Sequence, residues 1–131
     1  MKKNTNEYEL EYEKMMDAHI KETYRANPDI TTCCICGAKL PIAFSHNPYP
    51  VREKSWFGQK ENRCCSDCNT DIVIPARLSL PHRDVLARNI LIARYKNMSH
   101  KELQASLKSS PSMRFGNFIS NERILKVCGI A

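Results

Sequence analysis

Two pairs of cysteines with the spacing Cys-x-x-Cys carry the strongest chemical signal in this sequence. The first pair is Cys33 and Cys36, and the second is Cys65 and Cys68. Each turn can present two sulfur atoms to one metal ion, and four thiolates form the tetrahedral shell that structural Zn²⁺ prefers. Because four sulfur ligands leave no position for water, we predict one structural zinc ion and no metal-activated nucleophile.

The chain has three further cysteines, so the sequence must also indicate which of the seven bind the metal. Cys34 and Cys64 each adjoin a cysteine of a pair, while Cys128 stands alone. An odd number of clustered cysteines is atypical of a disulfide framework and is typical of metal ligands in a reducing compartment. Gly37, directly after the first pair, favours Cys36 as the end of a tight turn. The sequence leaves open whether Cys34 or Cys64 replaces its neighbour as a ligand.

The residues around the two pairs suggest how a small fold would position them. With 131 residues, of which 42% are hydrophobic, the chain is long enough for one modest domain. We predict an α+β fold of three segments: an N-terminal helix over residues 5–26, a zinc module over residues 29–78 and a helical segment over residues 81–131.

The predicted N-terminal helix carries tyrosines and methionines at helical spacing. Asn27-Pro28 would end the helix. The residues that recur at steps of three and four among charged side chains are Tyr8, Tyr12, Met15, Met16, His19, Ile20 and Thr23. We expect this stripe to contact the core.

The segment after residue 80 also predicts helices. A helix over residues 81–97 would carry apolar side chains on one face and basic side chains on the other. The apolar ones are Val85, Leu86, Ile90 and Ala93. Ser99 and Glu102 have the spacing of a capping box and predict a helix over residues 101–108. One or two short helices are predicted within residues 113–127.

The net charge of +6 is unevenly distributed along the chain. Residues 1–27 hold five basic and six acidic residues, so the remainder holds 15 and eight, a net charge of about +7. This excess predicts an anionic partner, either nucleic acid or a protein with an acidic surface. The predicted basic contacts are Arg52, Lys54, Lys60, Arg63, Arg77, Arg83 and Arg88. Trp56 and Phe57 could stack on bases, although we expect them to close the small core beside the metal.

No run of about 18 to 20 apolar residues is available to cross a bilayer. The first residues also lack the apolar segment of a secretory signal. We therefore expect a cytoplasmic protein that has no membrane partner.

One pattern in the cysteine-rich segment resembles the HNH nucleases, a treble-clef family in which a His activates water and a metal holds the scissile phosphate. It consists of a cysteine knuckle, a loop with His46, then Asn62, and a second pair followed by Asn69. The resemblance implies His46 as the base, Asn62 as the positioning residue and Asn69 in place of the final His. Ser45 stands where the family usually has an Asp or His metal ligand, and Mg²⁺ prefers carboxylate oxygen to an amide.

A broader stretch, residues 33–78, resembles small zinc-binding proteins encoded by bacteriophages and mobile elements. Its shared features are the Cys33-to-Gly37 knuckle, the proline-rich loop 46–51 and the block 63–69 that leads into residues 73–78. The resemblance implies a treble-clef or zinc-ribbon module and brings no agreed activity. We therefore expect a non-enzymatic zinc-stabilised protein that binds nucleic acid or a host nucleic-acid-handling protein in the host cytoplasm. The alternatives are an HNH-type endonuclease and a pure protein-interaction factor of host takeover.

A weaker pattern in residues 99–119 resembles a helix-turn-helix, whose second helix would enter the major groove of DNA. Its groove-facing residues would be Arg114, Asn117 and Arg123.

Overall fold

The architecture is that of a computed structural model, which describes residues 2–107 and 118–130, with side chains from residue 7 onward. It is a mixed structure of helices and one small sheet, as the α+β prediction required. The helices are α1 (Lys2–Ala26), α2 (Ser66–Cys68), α3 (Ile74–Ser79), α4 (Val85–Lys96), α5 (His100–Leu107) and α6 (Asn121–Cys128). The strands are β1 (Ile30–Thr32) and β2 (Lys39–Pro41), and a 3₁₀ turn spans Ile42–Phe44.

The two strands form an antiparallel hairpin whose turn contains the first cysteine pair. Thr32 lies opposite Lys39, so the turn consists of residues 33–38. Gly37 has φ = +81°, in the left-handed region that favours glycine. Its amide donates to the Cys33 carbonyl at 2.9 Å, which closes the turn directly after Cys36.

The second cysteine pair lies at the start of a helical run over residues 66–79. Cys65 is the N-cap of α2 and has extended backbone angles. A π-helical turn, Asn69–Val73, joins α2 to α3, and Ile74 donates its amide to the Asn69 carbonyl. Proline inside an α-helix removes a hydrogen bond and collides with the preceding turn. Here Pro75 falls in the first turn of α3, where it is tolerated.

The N-terminal helix contacts α6 through its middle and its second half. Ile20 is fully buried, and Asp17 accepts a hydrogen bond from Arg123 of α6 at 2.8 Å. The prediction that the stripe contacts the core is therefore confirmed for Ile20, but it was wrong for Tyr8 and Met15, which are 79% and 66% exposed. The side chains of α1 that contact α6, such as Asp17, come later in the helix than Tyr8 and Met15.

Helix α4 packs against the core with one face, and the opposite face carries its larger apolar stripe. Asp84 caps it by accepting the Ala87 amide at 3.0 Å. Ile92 and Tyr95 are buried in the core, whereas Leu86 and Ile90 are 71% and 52% exposed. The helix was correctly predicted, but its most apolar face points to solvent.

Helix α5 begins with the predicted capping box. The Ser99 amide donates to Glu102 Oε1 at 2.8 Å, and the Glu102 amide donates to Ser99 Oγ at 3.2 Å. Leu103 and Leu107 are buried and attach α5 to the core. The predicted end of this helix at Lys108 lies outside the described residues.

Helix α6 lies within the last predicted helical stretch, of which residues 113–117 fall outside the described residues. It is bound to the second cysteine turn at its N-terminus. The amide of Asn121 donates to Asp67 Oδ1 at 3.2 Å, and the hydroxyl of Ser66 donates to the Ile119 carbonyl. The groove-facing candidates Arg114 and Asn117 also fall outside the described residues.

The hydrophobic core surrounds the two cysteine turns. Buried residues from the hairpin, the loop, the helical run, α4 and α5 form one cluster, in which Cys33, Leu40, Val51, Cys64, Cys65, Cys68, Ile72, Val73, Tyr95 and Leu103 take part. No helix in the described part of the chain is long and apolar enough to span a membrane.

Candidate metal centre

The four cysteines of the two pairs come together at one point in the structure. The Sγ atoms of Cys33, Cys36, Cys65 and Cys68 all lie within 4.8 Å of one another. The Sγ atoms of Cys36 and Cys65 are 3.8 Å apart. A tetrahedral ion with Zn–S bonds of about 2.3 Å places its sulfur ligands about 3.8 Å apart. The residues present therefore fit a tetrahedral metal ion, and the predicted convergence of the two pairs is confirmed.

Backbone amides in both turns point at sulfur atoms. The amides of Ile35 and Cys36 each lie 3.4 Å from Cys33 Sγ, and the amide of Cys68 lies 3.5 Å from Cys65 Sγ. Hydrogen bonds of this kind favour the charged form of a thiol. The two turns thus prepare their first cysteines as thiolate ligands.

The four thiols cannot all ionise without a cation. Hydrogen bonds from the thiols of Cys65 and Cys68 lower the pKa of Cys33 far below its usual range. Conversely, the hydrogen bond to Cys33 raises the pKa of Cys65 to about 12 and raises the pKa of Cys68 further. One negative charge therefore suppresses the others in this small volume, and a divalent cation relieves that repulsion.

The two cysteines that adjoin the pairs, Cys34 and Cys64, lie in surroundings that differ from those of the four paired cysteines. Cys34 and Cys64 do not belong to the four-sulfur group. Burial, followed by the charge of Cys33, raises the pKa of Cys34 to about 11 and that of Cys64 further. These two thiols stay protonated at neutral pH, which agrees with the predicted ligand set.

One ligand of the four reaches the surface. Cys36 is exposed, whereas the other three are buried. It lines a cavity of about 160 Å³ with polar neighbours, among them Asp67, Asp71, His100 and Asn121. Cys65 and Cys68 line the same cavity, so the four-sulfur group borders it.

Arg63, a predicted nucleic-acid contact, is a buried structural residue. It is 4% exposed, and its guanidinium donates to Ser45 Oγ at 2.8 Å, the Ser45 carbonyl at 2.9 Å and Ser55 Oγ at 3.1 Å. These bonds connect the two ends of the long loop between the cysteine pairs. Arg63 cannot reach a phosphate without breaking them.

Arg52 is also occupied within the fold. Its guanidinium donates to the carbonyls of Val51 at 2.7 Å and Met98 at 2.9 Å. It therefore attaches the loop to the end of α4 and is not a free surface cation.

The other predicted basic contacts differ in the solvent exposure and hydrogen bonding of their side chains. Arg77 is exposed, yet its guanidinium binds the carbonyls of Tyr49 and Asn47 at 2.8 and 3.0 Å. Arg88 is half-buried. The basic side chains that remain on the surface are Lys54, Lys60 and Arg83.

Trp56 and Phe57 lie on the surface between two of these cations. They are 65% and 81% exposed, so the expectation that they close the core was wrong. A turn presents them: the Gln59 amide donates to the Trp56 carbonyl at 3.0 Å, and Gly58 has φ = +86°. Lys54 and Lys60 flank this turn in the sequence.

The three residues of the HNH resemblance lie in different surroundings. His46 pairs its backbone with Cys64 at 2.9 and 3.0 Å, and burial, then the charges of Arg63 and Arg77, lower its pKa. Asn62 is exposed, and Asn69 is half-buried in the π-helical turn. Among the described residues, only the four cysteines form a group of three or more His, Cys, Asp or Glu side chains close enough to share a metal ion.

Comparison of this chain with family models, with curated proteins and with solved structures found no match.

Proposed function

We propose that this protein is a non-enzymatic, zinc-stabilised nucleic-acid-binding protein that stacks unpaired bases on Trp56 and Phe57. The observation that carries the proposal is the exposure of two adjacent aromatic side chains on a turn flanked by Lys54 and Lys60. We call this surface, residues 54–60, the aromatic turn. Stacking on aromatic rings with nearby cations is the usual way in which proteins bind single strands.

The closed ligand set supports a structural zinc ion. Four sulfur donors at tetrahedral spacing suit Zn²⁺ and leave no position for a reacting water. The order of elements supports a treble-clef module, because a hairpin turn supplies the first cysteine pair and a helix N-terminus supplies the second. In this proposal the metal holds the fold, and binding occurs on the surface.

The anchoring of the loop supports the aromatic turn as a preformed site. Ser55 is buried, donates its amide to Asn47 Oδ1 at 3.1 Å and accepts a hydrogen bond from Arg63. Its neighbour Trp56 is thus displayed from a fixed backbone. A preformed aromatic surface loses less conformational entropy when it binds.

The test uses the fact that Trp56 is the single tryptophan of the chain. Titration with a single-stranded oligonucleotide should quench the tryptophan fluorescence as bases stack on the indole. In fluorescence anisotropy with a labelled oligonucleotide, Phe57→Ala should weaken binding about 5- to 150-fold, since stacking contributes about 1–3 kcal/mol per base. Tyr8→Ala, which removes a similarly exposed ring from α1, is the matched control and should bind as wild type does.

Salt dependence tests the role of the cations. Replacing both Lys54 and Lys60 by Ala should reduce the slope of log K against log salt by about 1.4, since each phosphate contact with a single strand contributes about 0.7. Lys14→Ala on α1 should leave the slope unchanged. Absence of binding at low salt, or unchanged affinity of the Phe57→Ala variant, would overturn the proposal and leave the protein-interaction alternative.

The nuclease alternative depends on His46 as a general base, and burial followed by the charges of Arg63 and Arg77 lowers the pKa of this side chain. Incubation of supercoiled plasmid with Mg²⁺ or Mn²⁺ separates the two functions. Nicking that disappears in the His46→Ala variant would replace the binding-only proposal with a metal-dependent nuclease.

A further inference from the structure

We infer that Asn121, at the start of α6, is a positioning residue of the metal centre that holds the two cysteine turns at the spacing a metal ion requires. The first turn is residues 33–38, and the second is residues 65–68. The inference rests on the structural zinc ion of the proposed function and not on nucleic-acid binding. Its experiment therefore uses metal ions alone.

The two turns belong to elements that are far apart in the chain. Between Cys36 and Cys65 lie 28 residues. The four sulfur atoms can share an ion only while the hairpin and the helical run keep one distance and orientation, so contacts that join the turns govern the geometry of the shell. One such contact comes from the loop, where the Cys34 amide donates to the Arg63 carbonyl at 2.8 Å. Another comes from α6.

Asn121 forms hydrogen bonds with both turns. Its backbone amide donates at 3.2 Å to Oδ1 of Asp67, a residue that precedes it by 54 positions and lies between Cys65 and Cys68. Its side-chain Nδ2 donates at 3.0 Å to the carbonyl of Lys39, where the hairpin turn enters β2. One residue of α6 thus bridges the element that supplies the first cysteine pair and the element that supplies the second.

Asn121 is buried beside the metal ligands. It is 5% exposed, and it lines the cavity of about 160 Å³ that Cys36, Cys65 and Cys68 also border. Within the described part of the chain, its buried Oδ1 has no hydrogen-bond partner. The hydrogen bonding of this side chain therefore consists of the donation from Nδ2 to the hairpin.

Helix α6 holds the backbone of Asn121 in place. Ser120 caps the helix by accepting the Arg123 amide at 3.2 Å. Arg123 in turn donates to Asp17 of α1 at 2.8 Å, which fixes the helix from its other side. A residue whose own position is fixed can set the distance between the two groups that it binds.

The experiment measures the zinc affinity of the full chain by competition with a chromophoric chelator. Asn121→Ala should weaken zinc binding about 10- to 100-fold, the usual effect of removing a residue that orients metal ligands. Asn121→Leu, which keeps nearly the same volume but has no donor, should weaken it as much. Agreement between the two variants assigns the effect to the lost hydrogen bond and not to a cavity.

Ser120→Ala is the matched control, because the Ser120 hydroxyl caps the same helix and bonds within α6. Folding and metal binding are coupled, so a loss of stability alone also lowers zinc affinity. The loss of one helix cap should lower it by only about fivefold. Circular dichroism of the zinc-loaded proteins shows that each variant is folded.

The visible absorption of the cobalt-substituted protein separates a positioning role from a merely structural one. Co²⁺ enters tetrahedral sulfur sites in place of Zn²⁺, and its absorption bands depend on the arrangement of its ligands. The bands should shift or weaken in Asn121→Ala and Asn121→Leu, and those of Ser120→Ala should match wild type. A structural role alone would leave the bands of all three loaded variants unchanged.

Two results would overturn this inference and leave the proposed function intact. They are Asn121 variants that bind zinc no more weakly than Ser120→Ala does, and cobalt bands of the Asn121 variants that are identical to those of wild type. A wild-type protein that binds no zinc would overturn the inference together with the zinc-stabilised function.

Discussion

Neighbouring cysteines in this chain have opposite roles because of single-residue differences in backbone position. Cys33 receives two amide hydrogen bonds and lies in the four-sulfur group, while Cys34 donates its own amide to the Arg63 carbonyl at 2.8 Å. The spacing of Cys-x-x-Cys and the position of Gly37 favoured Cys33 over Cys34, but the sequence left open whether Cys34 or Cys64 replaces its neighbour. The burial that keeps the Cys34 and Cys64 thiols protonated was not visible in the sequence.

Serine substitution should separate ligands from the other thiols. Cys33→Ser and Cys65→Ser should each lose the bound metal at neutral pH, because removing one sulfur opens the tetrahedral shell. Cys34→Ser should retain one ion per chain. Elemental analysis of purified protein measures the difference, and Cys128→Ser is the control. Loss of metal from Cys34→Ser alone would show that the ligand set is wrong.

Arg63 should matter for stability more than any exposed cation. We expect Arg63→Ala to lower the free energy of unfolding by about 3 kcal/mol, because it removes three hydrogen bonds of a buried charge. Arg83→Ala, at an exposed position, should change it by less than about 0.5 kcal/mol. Urea denaturation measures both values, and equal effects would contradict the structural role of Arg63.

His46 should make stability depend on pH in the weakly acidic range. Burial lowers its pKa in the folded protein below the value of about 6.5 in the unfolded chain. The unfolded chain therefore binds more protons than the folded protein. The contribution of His46 to the free energy of unfolding is complete above pH of about 6.5 and is lost as pH falls below that value. Between pH of about 7.5 and 5, wild type should lose more stability than His46→Gln. Since metal release affects both proteins, parallel curves would contradict this assignment.

At the scale of elements, the sequence predicted where helices lie better than which side they bury. The capping pair of Ser99 and Glu102 is a local signal, and it marked the start of α5 correctly. The face that α4 buries depends on partners distant in the chain, among them Arg52, which binds the carbonyls at its end. The number of apolar side chains alone predicted that α4 buries Leu86 and Ile90. In the folded protein, α4 buries Ile92 and Tyr95.

The capping box gives an element-scale prediction. Ser99→Ala should lower the free energy of unfolding by about 1 kcal/mol, because the Glu102 amide loses its acceptor at the start of α5. Ser99→Asp, which restores an acceptor, should recover most of this loss. Thermal denaturation measures both, and an Asp variant no better than Ala would show that the cap is not what stabilises this helix end.

At the scale of the whole molecule, the four-sulfur group and the hydrophobic core are one unit. Cys33, Cys65 and Cys68 belong to the same buried cluster as side chains of α4 and α5. Structural zinc sites contribute about 10–16 kcal/mol, which is as large as the whole stability of most small domains, about 5–15 kcal/mol. Sequence patterns could place the ligands but could not show that distant helices pack directly around them.

Metal removal should therefore unfold more than the cysteine turns. A strong zinc chelator should abolish the cooperative thermal transition and reduce the helical circular dichroism signal, and added Zn²⁺ should restore both. A calcium-selective chelator is the control and should have no effect. A cooperative transition that survives metal removal would show that the core is stable without the ion.

The attachment of the loop to α4 has a thermodynamic consequence. Arg52 binds the carbonyls of Tyr95 and Met98, and Glu53 pairs with Lys96 at 2.6 Å, immediately before the aromatic turn. These contacts connect the end of α4 directly to the backbone that precedes Trp56. Linkage is reciprocal, so any ligand of α4 that alters affinity at the aromatic turn must be altered in its own affinity by the same factor. We expect ligand binding at the end of α4 and ligand binding at the aromatic turn to be coupled. Replacing Arg52 by Ala should remove this coupling.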